Sequence, residues 1–322
     1  MNDRIVILDG HTTNPGDLDW GPVAALGRLE THDRTPESLV PSRAAGAAHV
    51  LLNKTPMSAA SISALPALRY IGVLATGYNT VDLAAAKARG ITVTNIPAYA
   101  SDSVAQHAAA MMLEFARGLR AHAAAVADGQ WSRSPDWCFA RRPIFELTGK
   151  TLGLVGLGRI GLALARIGAA MGMHLVGHDP AFPSDDQLSG LAVARLGLEA
   201  VFESADVVSL HCPLTPHTRH LVNAERLARM KRSALIINTS RGPLIDEPAL
   251  AAALREGVIA GAALDVLEIE PPAPDNPLYA APNCLITPHI AWYALEARRR
   301  LIEIAADNLA AFQRGELRNV VG

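Results

Sequence analysis

The sequence predicts an α/β protein built from two doubly wound parallel sheets. Short runs of β-branched residues and leucine alternate with helix-like segments along most of the chain. These runs are continuously apolar, which is typical of parallel strands covered by helices on both faces. The alternation stops once, near Pro97, and then restarts. Because 322 residues suffice for two domains, we expect a separate sheet on each side of this interruption.

The first part of the chain contains a series of strand candidates. They lie at 5–8, 49–52, 70–74 and 91–94, and a further short strand is compatible with the residues near Thr31. A helix is expected over 23–29. Another should begin after the N-cap residue Asp82 and end at Arg89, because Gly90 follows as a stop signal.

The interruption itself is predicted to be helical. Residues 101–128 contain almost no helix breaker and are rich in alanine, methionine and leucine, so they predict one long helix that Gly129 ends. The loop that follows, 130–143, includes an aromatic arm at 131–139 with two tryptophans and a phenylalanine. Long loops of unusual composition tend to be functional.

The second part of the chain repeats the alternation. Strands are expected at 151–155, 174–177, 206–210, 234–238, 259–264 and 284–286. A terminal helix is expected over 296–314. The run 298–300, three arginines, lies on this helix and predicts a solvated face without a function.

Composition excludes several classes of protein. Half of the residues are apolar, and the net charge of -2 gives no reason to expect nucleic acid or an anionic membrane as a partner. The three cysteines are far apart, which indicates no disulfide framework and fits the cytoplasm. The first ten residues predict a strand and not a signal peptide, and no run approaches the roughly 20 apolar residues that span a bilayer.

A glycine-rich turn predicts a dinucleotide site. Residues 156–161 read GLGRIG, follow a predicted strand and open a predicted helix. Gly156 permits the tight turn, Gly158 leaves room for a pyrophosphate, and Gly161 allows the helix to lie close to the strand. Asp179 stands at the end of the next strand, where a carboxylate can bind the adenosine ribose. It would repel a 2′-phosphate, so we expect NAD in preference to NADP.

Three further strand ends supply groups suited to reducing a keto acid. Arg241 follows one predicted strand, Glu270 the next and His289 the last. The arginine can grip a carboxylate with its planar fork, and histidine exchanges protons near neutral pH. A neighbouring carboxylate would fix the tautomer of His289 and keep its proton available. Taken singly, each residue has an ordinary structural interpretation.

These motifs, in this order and spacing, resemble those of the D-isomer-specific 2-hydroxy acid dehydrogenases over essentially the whole chain. The resemblance implies that Arg241 binds the substrate carboxylate, that Glu270 pairs with His289, and that His289 is the acid–base residue. The family's acid lies five residues after the strand-end aspartate, here Asp265, and directly before proline; Glu268 satisfies neither condition. The family also implies a homodimer formed through the long helix and the aromatic arm.

The resemblance further implies the domains and ligand contacts. It predicts a flavodoxin-like substrate domain over 1–99 and 290–322, and a Rossmann nucleotide-binding domain over 100–289. The implied NAD contacts are Val104, Gly156, Gly158, Arg159, Ile160, Gly161, Asp179, His211, Cys212, Pro213, Thr218, Thr239, Ser240, Arg241, Asp265, His289 and Ala291. The implied substrate contacts are Asn53, Lys54, Thr76, Gly77, Tyr78, Arg241, His289 and Trp292. Asn53 and Lys54 are equally compatible with an ordinary polar loop.

No metal site is predicted. His211, Cys212, His217 and His220 lie within ten residues, but their spacing matches no standard zinc pattern and two prolines make the segment irregular.

A finer resemblance, to the glycerate dehydrogenase or hydroxypyruvate reductase branch of the family, rests on segments 8–17, 53–56, 74–79 and 289–292. It implies reduction of hydroxypyruvate or glyoxylate. The segment 140–142 departs from that branch and introduces Arg141 and Arg142, which could favour a substrate with a second anionic group. The alternatives are a phosphoglycerate or D-lactate type of dehydrogenase, or an NAD-sensing protein of the corepressor kind built on the same fold.

Overall fold

The chain folds into two compact units, which we describe from a computed structural model that covers residues 3–322. The first unit comprises the described part of Met1–Ala100 together with Tyr293–Gly322, and the second unit is Ser101–Trp292. The first unit is therefore discontinuous in sequence. The sequence predicts the two domain boundaries after residues 99 and 289, whereas the two units of the structure meet after Ala100 and Trp292.

The first unit contains a parallel sheet of five strands. The strands are β1 (Arg4–Ile7), β2 (Arg28–Thr31), β3 (His49–Leu52), β4 (Tyr70–Val73) and β5 (Thr92–Thr94). Their order is β2-β1-β3-β4-β5, the flavodoxin-like order, and all four pairings are parallel. The central strands β3 and β4 are buried along their whole length, as their continuously apolar sequences predict.

Short helices connect these strands. They are α1 (Gly21–Ala24), α2 (Val40–Arg43), α3 (Ala59–Ser63) and α4 (Leu83–Ala88). The predicted helix over 23–29 is wrong, because α1 stops at Ala24 and β2 begins at Arg28. Between them, a side chain at Gly27 would overlap the carbonyl oxygen of Asp3, so the chain turns where only glycine fits. The predicted start of α4 is confirmed, since the Asp82 carboxylate accepts a hydrogen bond from the Ala85 N–H at 2.9 Å.

The second unit begins with two helices where one was predicted. They are α5 (Ser101–Arg117) and α6 (Leu119–Ala127). Gly118 separates them with a left-handed backbone, φ 59°. The guanidinium of Arg142 lies against this glycine and donates to the carbonyl oxygens of Glu114, at 2.7 Å, and Phe115. Arg142 thus satisfies the open carbonyl end of α5, and the expectation of one helix over 101–128 is wrong.

A parallel sheet of seven strands forms the centre of the second unit. The strands are β6 (Thr151–Val155), β7 (His174–His178), β8 (Val193–Arg195), β9 (Val207–Leu210), β10 (Leu235–Asn238), β11 (Gly261–Leu264) and β12 (Cys284–Ile286). Their order is β12-β11-β10-β9-β6-β7-β8. The direction of winding reverses between β6 and β9, and ligands of such sheets bind beyond the carboxyl ends of the strands at this switch point.

Helices cover both faces of the second sheet. They are α7 (Arg159–Ala170), α8 (Asp185–Leu188), α9 (Leu198–Ser204), α10 (Ala224–Arg229) and α11 (Glu247–Arg255). Alternate residues of β10 point to opposite faces: Leu235 and Ile237 belong to the core beneath α5 and α7, whereas Ile236 belongs to the core beneath α9, α10 and α11. The fold class predicted from the sequence is confirmed.

The terminal helix α12 (Leu295–Gln313) returns to the first unit. Arg298 on this helix is only 4% exposed and binds both carboxylate oxygens of Asp17, at 2.7 and 2.6 Å. It also donates to the carbonyl oxygen of Tyr293 at 3.0 Å. The predicted solvated face is therefore wrong for Arg298, because a loop from another part of the sequence buries it. Within residues 3–322, no helix is long and apolar enough to cross a membrane.

Candidate active site

The glycine-rich turn has the geometry of a phosphate cradle. It lies between β6 and α7, where Gly156 adopts a φ of +97°. A Cβ at Gly156 would lie 2.6 Å from the backbone nitrogen of Cys212, and one at Gly161 would overlap the Gly156 carbonyl oxygen. A Cβ at Gly158, by contrast, would meet no atom within 4 Å. Gly158 therefore leaves open space at the N-terminus of α7, beside unpaired backbone N–H groups.

Asp179 lies beside this turn at the end of β7. One of its carboxylate oxygens accepts a hydrogen bond from the Leu157 N–H at 2.7 Å, and the other accepts from the Ala181 N–H at 2.8 Å. The aspartate thus ties the glycine-rich turn to the strand end as well as presenting a carboxylate there. Each oxygen keeps a lone pair with which it can accept a further bond from a ribose hydroxyl.

The segments after β9 and β10 are tied together at the switch point. Ser240 donates from its hydroxyl to the carbonyl oxygen of Cys212 at 2.9 Å, and Thr218 donates in the same way to Pro213 at 2.7 Å. His211 lies 2.9 Å from the Ser209 hydroxyl, and burial lowers its pKa to about 4, so it is neutral at physiological pH. Within residues 3–322, no three His, Cys, Asp or Glu side chains are grouped to hold a metal ion.

Thr239 supplies a polar atom that awaits a partner. Its side chain is buried, and its Oγ1 makes no hydrogen bond to any group in the described residues. A buried hydroxyl without a partner costs free energy unless a ligand or water satisfies it. Thr239 follows β10 at the same sheet edge as the glycine-rich turn. The cradle at Gly158, the carboxylate of Asp179 and this hydroxyl together fit a dinucleotide.

Arg241 projects from the same strand end and is exposed. Its guanidinium donates to the carbonyl oxygen of Ser240 at 2.7 Å, and its own carbonyl oxygen accepts from the Asn238 side chain at 2.8 Å. A Cβ at the next residue, Gly242, would overlap the backbone of Leu267. The arginine segment is therefore pressed directly against the segment that carries the predicted acid.

Glu270 and His289 form a hydrogen-bonded pair. A carboxylate oxygen of Glu270 lies 2.6 Å from Nδ1 of His289, and the other oxygen accepts from the Leu267 N–H at 3.0 Å. Since a carboxylate only accepts hydrogen bonds, the proton of this bond lies on Nδ1 and Nε2 is the nitrogen turned to other partners. Glu268 instead makes an ion pair with Arg219 and lies 3.4 Å from His220.

Asp265 holds the loop that carries His289. It is 1% exposed, and its carboxylate accepts from the Ile290 N–H at 2.9 Å and the Ala291 N–H at 2.8 Å. The Thr287 hydroxyl donates to the same carboxylate at 2.5 Å. His289 itself has a left-handed backbone, φ 54°. Asp265 is thus already occupied in building this loop, and its predicted contact with NAD stays a prediction.

The structure also places other residues that were predicted in the second unit. Trp292 donates from its indole nitrogen to the carbonyl oxygen of His289 at 2.9 Å. Val104, on α5, is 7% exposed. Arg159 and Ile160 begin α7.

Sequence reasoning missed several residues that support the site. Ser103 and His107 on α5 bond to the His289 loop, through the Ala291 carbonyl oxygen at 2.6 Å and the Thr287 hydroxyl at 3.1 Å. Glu247, at the start of α11, is buried and accepts from the Glu268 N–H at 2.6 Å. No local sequence pattern predicts these contacts, because each joins segments that are far apart in the sequence.

The substrate residues predicted in the first unit cluster around its own strand ends. The Asp9 carboxylate accepts from the backbone N–H groups of Asn53 at 2.7 Å and Lys54 at 2.5 Å. The Asn53 side chain is buried and donates weakly to Thr13, whereas Lys54 is exposed. These contacts support the interpretation of Asn53 as part of the loop structure.

Segment 76–78 follows β4 of the first unit. Thr76 donates to the carbonyl oxygen of Ile96 at 2.8 Å, and Tyr78 is exposed. The substrate roles predicted for Thr76, Gly77 and Tyr78 stay predictions.

Comparisons with known proteins establish the family. Residues 109–291 match the family model described as D-isomer specific 2-hydroxyacid dehydrogenase, NAD binding domain. The chain is 45% identical to a hydroxypyruvate reductase of Blautia hydrogenotrophica over 326 aligned positions, which cover 99% of each protein. It is 43% identical to a glycerate dehydrogenase of Methylorubrum extorquens, with 89% of each covered. The crystal structure of the TT0316 protein of Thermus thermophilus superposes with a TM-score of 0.87 at 37% identity, with 99% of this chain and 100% of that chain covered.

The chain belongs to the D-isomer-specific 2-hydroxyacid dehydrogenase family. It is accordingly an oxidoreductase that uses NAD, as the fit of the cradle to a dinucleotide also indicates.

Proposed function

We propose that this enzyme reduces hydroxypyruvate to D-glycerate with NADH, with glyoxylate as its second substrate. The observation that carries the proposal is the 2.6 Å hydrogen bond between Glu270 and His289, located at the same sheet edge as the dinucleotide cradle. An oriented histidine beside a cofactor site is what reduction of a carbonyl group requires. The hydroxypyruvate reductase and glycerate dehydrogenase names of the two similar relatives support this choice of substrate.

Three side chains carry the chemistry in this proposal. Arg241 binds the substrate carboxylate through its planar guanidinium and polarises the adjacent carbonyl group. His289 donates a proton from Nε2 to the carbonyl oxygen, while Glu270 holds Nδ1 and stabilises the charged ring before the transfer. NADH, when bound, supplies the hydride. Trp292 steadies the backbone of His289 and is assigned to the substrate site with it.

The structure speaks against one threat to this assignment. Arg142 could have provided a positive charge for a phosphate or a second carboxylate on the substrate. Its guanidinium lies instead at the end of α5, where Nη2 donates to two backbone carbonyl oxygens and the group is 5.9 Å from the Phe115 ring centroid. Arg141 remains exposed, so phosphohydroxypyruvate belongs in the test.

The test is a steady-state comparison of keto acids. We expect NADH oxidation with hydroxypyruvate to give a higher kcat/KM than with pyruvate, phenylpyruvate or phosphohydroxypyruvate, with glyoxylate second. A site that hydrogen-bonds the substrate hydroxyl discriminates strongly against pyruvate, because pyruvate leaves those polar groups unpaired. A higher kcat/KM with any of the three competitors refutes the substrate. Absence of turnover with every keto acid would favour the NAD-sensing alternative.

Asp179 is proposed to select NADH over NADPH. Replacing it by Ser should narrow the preference, because the charge that repels the 2′-phosphate disappears. The variant should also bind NADH more weakly, since it loses the bond that holds the Leu157 N–H in the glycine-rich turn. Asp179→Asn is the matched control, since it removes the charge but keeps an acceptor oxygen. Equal use of both cofactors by the parent enzyme contradicts the proposal.

We further propose that the enzyme is a cytoplasmic homodimer. The helices α5 and α6 and the aromatic arm expose apolar side chains, of which Leu119 is 64% and Trp137 86% exposed in the single chain. Such aromatic surface is typical of an interface. Light scattering at micromolar concentration should give twice the chain mass, and a monomer would reject the interface.

The proposed cytoplasmic location fits the state of the cysteines. The three cysteines are free of disulfide bonds, which fits a reducing compartment. Cell fractionation tests this location.

A further inference from the structure

The loop that carries His289 is held by a helix as well as by the sheet. Two residues on one face of α5, Ser103 and His107, lie one helical turn apart. The Ser103 hydroxyl donates to the carbonyl oxygen of Ala291 at 2.6 Å. Nε2 of His107 lies 3.1 Å from the Thr287 hydroxyl oxygen. The helix therefore contacts the loop on both sides of His289.

The hydrogen-bond chain through Thr287 determines the state of His107. The Thr287 hydroxyl has one proton, and it donates this proton to the Asp265 carboxylate at 2.5 Å. Its oxygen must then accept from His107, so the imidazole carries a proton on Nε2. The same Nε2 lies 3.5 Å from the Asp265 carboxylate. The result is a directed chain from His107 to Thr287 to Asp265.

Asp265 links these hydrogen bonds to the loop that carries His289. Its carboxylate binds the N–H groups of Ile290 and Ala291, the two residues after His289. Those bonds fix the backbone directly after His289, which itself has a left-handed backbone, φ 54°, a conformation that is uncommon for residues other than glycine. Any shift of Asp265 therefore moves the residue that donates the proton.

We propose that His107 is a positioning residue for His289: through the Thr287 hydroxyl it fixes the Asp265 carboxylate, which sets the backbone of the catalytic loop. His107 does not touch the substrate in this role. The inference rests on the proposed acid–base function of His289, and it adds α5 to the parts of the molecule on which catalysis depends. Because α5 is also assigned to the dimer interface, it provides a physical connection between assembly and the site.

The experiment compares two substitutions of His107. His107→Leu keeps the bulk but removes the donor, whereas His107→Gln places an amide N–H where Nε2 was. We expect His107→Leu to lower kcat for hydroxypyruvate about tenfold, because small displacements of a catalytic group are costly. KM and the NADH dissociation constant should change less than about threefold. His107→Gln should recover most of the lost kcat, and Thr287→Val should behave like His107→Leu.

Hydrogen exchange gives a readout that does not depend on turnover. In His107→Leu, the amides of Ile290 and Ala291 should exchange faster while the strands of the same unit keep their protection. Glu225→Leu, at an exposed position of α10 in the same unit and outside both the site and the proposed dimer interface, is the matched control and should change neither kcat nor exchange.

Each outcome decides the matter. Parental kcat and parental exchange in His107→Leu overturn the inference, as does equal loss of kcat in the Leu and Gln variants. Faster exchange throughout the unit overturns it as well, since His107 would then merely stabilise the fold. If the parent enzyme turns over no keto acid, the proposed function fails, and the exchange experiment still tests the role of His107 in the loop.

Discussion

Asp9 in the first unit and Asp265 in the second do similar structural work with different consequences. Each is buried within two residues of the end of a strand, and each uses its carboxylate to bind backbone N–H groups of a loop that follows a neighbouring strand. The Asp9 carboxylate binds three backbone N–H groups, whereas the Asp265 carboxylate also accepts from a side-chain hydroxyl that an imidazole contacts in turn. The loop beneath Asp265 carries His289, and the loop beneath Asp9 carries Lys54.

The difference shows how to distinguish a carboxylate that only holds a loop in place from one that takes part in the reaction. A strand-end aspartate whose oxygens are filled by backbone N–H groups shapes a loop. One oxygen of Glu270 accepts from a backbone N–H and the other is hydrogen-bonded to His289, so this carboxylate interacts directly with the side chain that exchanges the proton. Without the family's spacing, all three acids have the same appearance in the sequence, namely a carboxylate that follows a predicted strand.

The largest expected effect falls on the reacting histidine. His289→Ala should lower kcat for reduction by about 10²–10⁴, the usual contribution of a positioned acid–base group, with little change in NADH affinity. His174→Ala, at the opposite, amino end of strand β7, is the control and should keep parental kcat. Steady-state NADH oxidation measures kcat, and fluorescence titration measures the affinity for NADH. Parental activity in His289→Ala would remove the histidine from the mechanism.

Replacing each of the two loop-holding aspartates by asparagine should distinguish their effects on stability and on catalysis. Asp9→Asn and Asp265→Asn each turn an amide N–H of the new side chain toward a backbone N–H, which should lower the free energy of unfolding by about 1–3 kcal/mol. Asp265→Asn should lower kcat about tenfold or more, and Asp9→Asn should chiefly raise KM. Denaturant unfolding and steady-state kinetics check this. The comparison breaks if Asp9→Asn lowers kcat as much as Asp265→Asn does.

The two glutamates of the acid segment should differ in pH response. Glu270→Gln removes the charge that holds the proton on His289, so the pH profile for reduction should move to lower pH. Glu268→Gln removes an ion pair with Arg219 and should leave the profile in place. Profiles of kcat/KM for both variants decide between them. A displaced profile in Glu268→Gln would assign the wrong acid.

The smallest effect concerns acid stability of the first unit. The hydrogen bond from Arg298 lowers the pKa of Asp17 below its ordinary value of 3.8. The pair therefore contributes stability above that value, and the contribution is lost as the pH falls through the lowered pKa. Thermal melting between about pH 5 and about pH 2 should show a smaller acid-dependent loss in Asp17→Asn than in the parent. Asp307→Asn, whose partner Arg318 is exposed, is the control; an unchanged slope in Asp17→Asn contradicts the prediction.

Local chemistry made much of the fold predictable. Continuous apolar runs identify the parallel strands, Asp82 and Gly90 bound a helix, and the spacing of Gly156, Gly158 and Gly161 defines the cradle. In each case the physical cause lies within a few residues of its effect. The pairing of Glu270 with His289 required the family's spacing, and the structure brings these two side chains together.

The errors arise where distant segments decide the structure. Gly118 ends a helix because Arg142 satisfies its carbonyl end, and Arg298 is buried because Asp17 receives it. His107 is silent in the sequence for the same reason, since its partner Thr287 lies 180 residues away. Helical periodicity shows which face of α5 is apolar, but it does not reveal what that face contacts.

Gly242 has a consequence for anyone who wishes to change the substrate range by mutation. A side chain at Gly242 would overlap the backbone of Leu267. Every substitution there should therefore force apart the segment that carries Arg241 and the segment that carries Glu270. A saturation library at this position should therefore yield inactive clones almost without exception, whatever substrate is used for screening. At Lys54, whose side chain is exposed in the first unit, we expect substitutions to leave the fold intact.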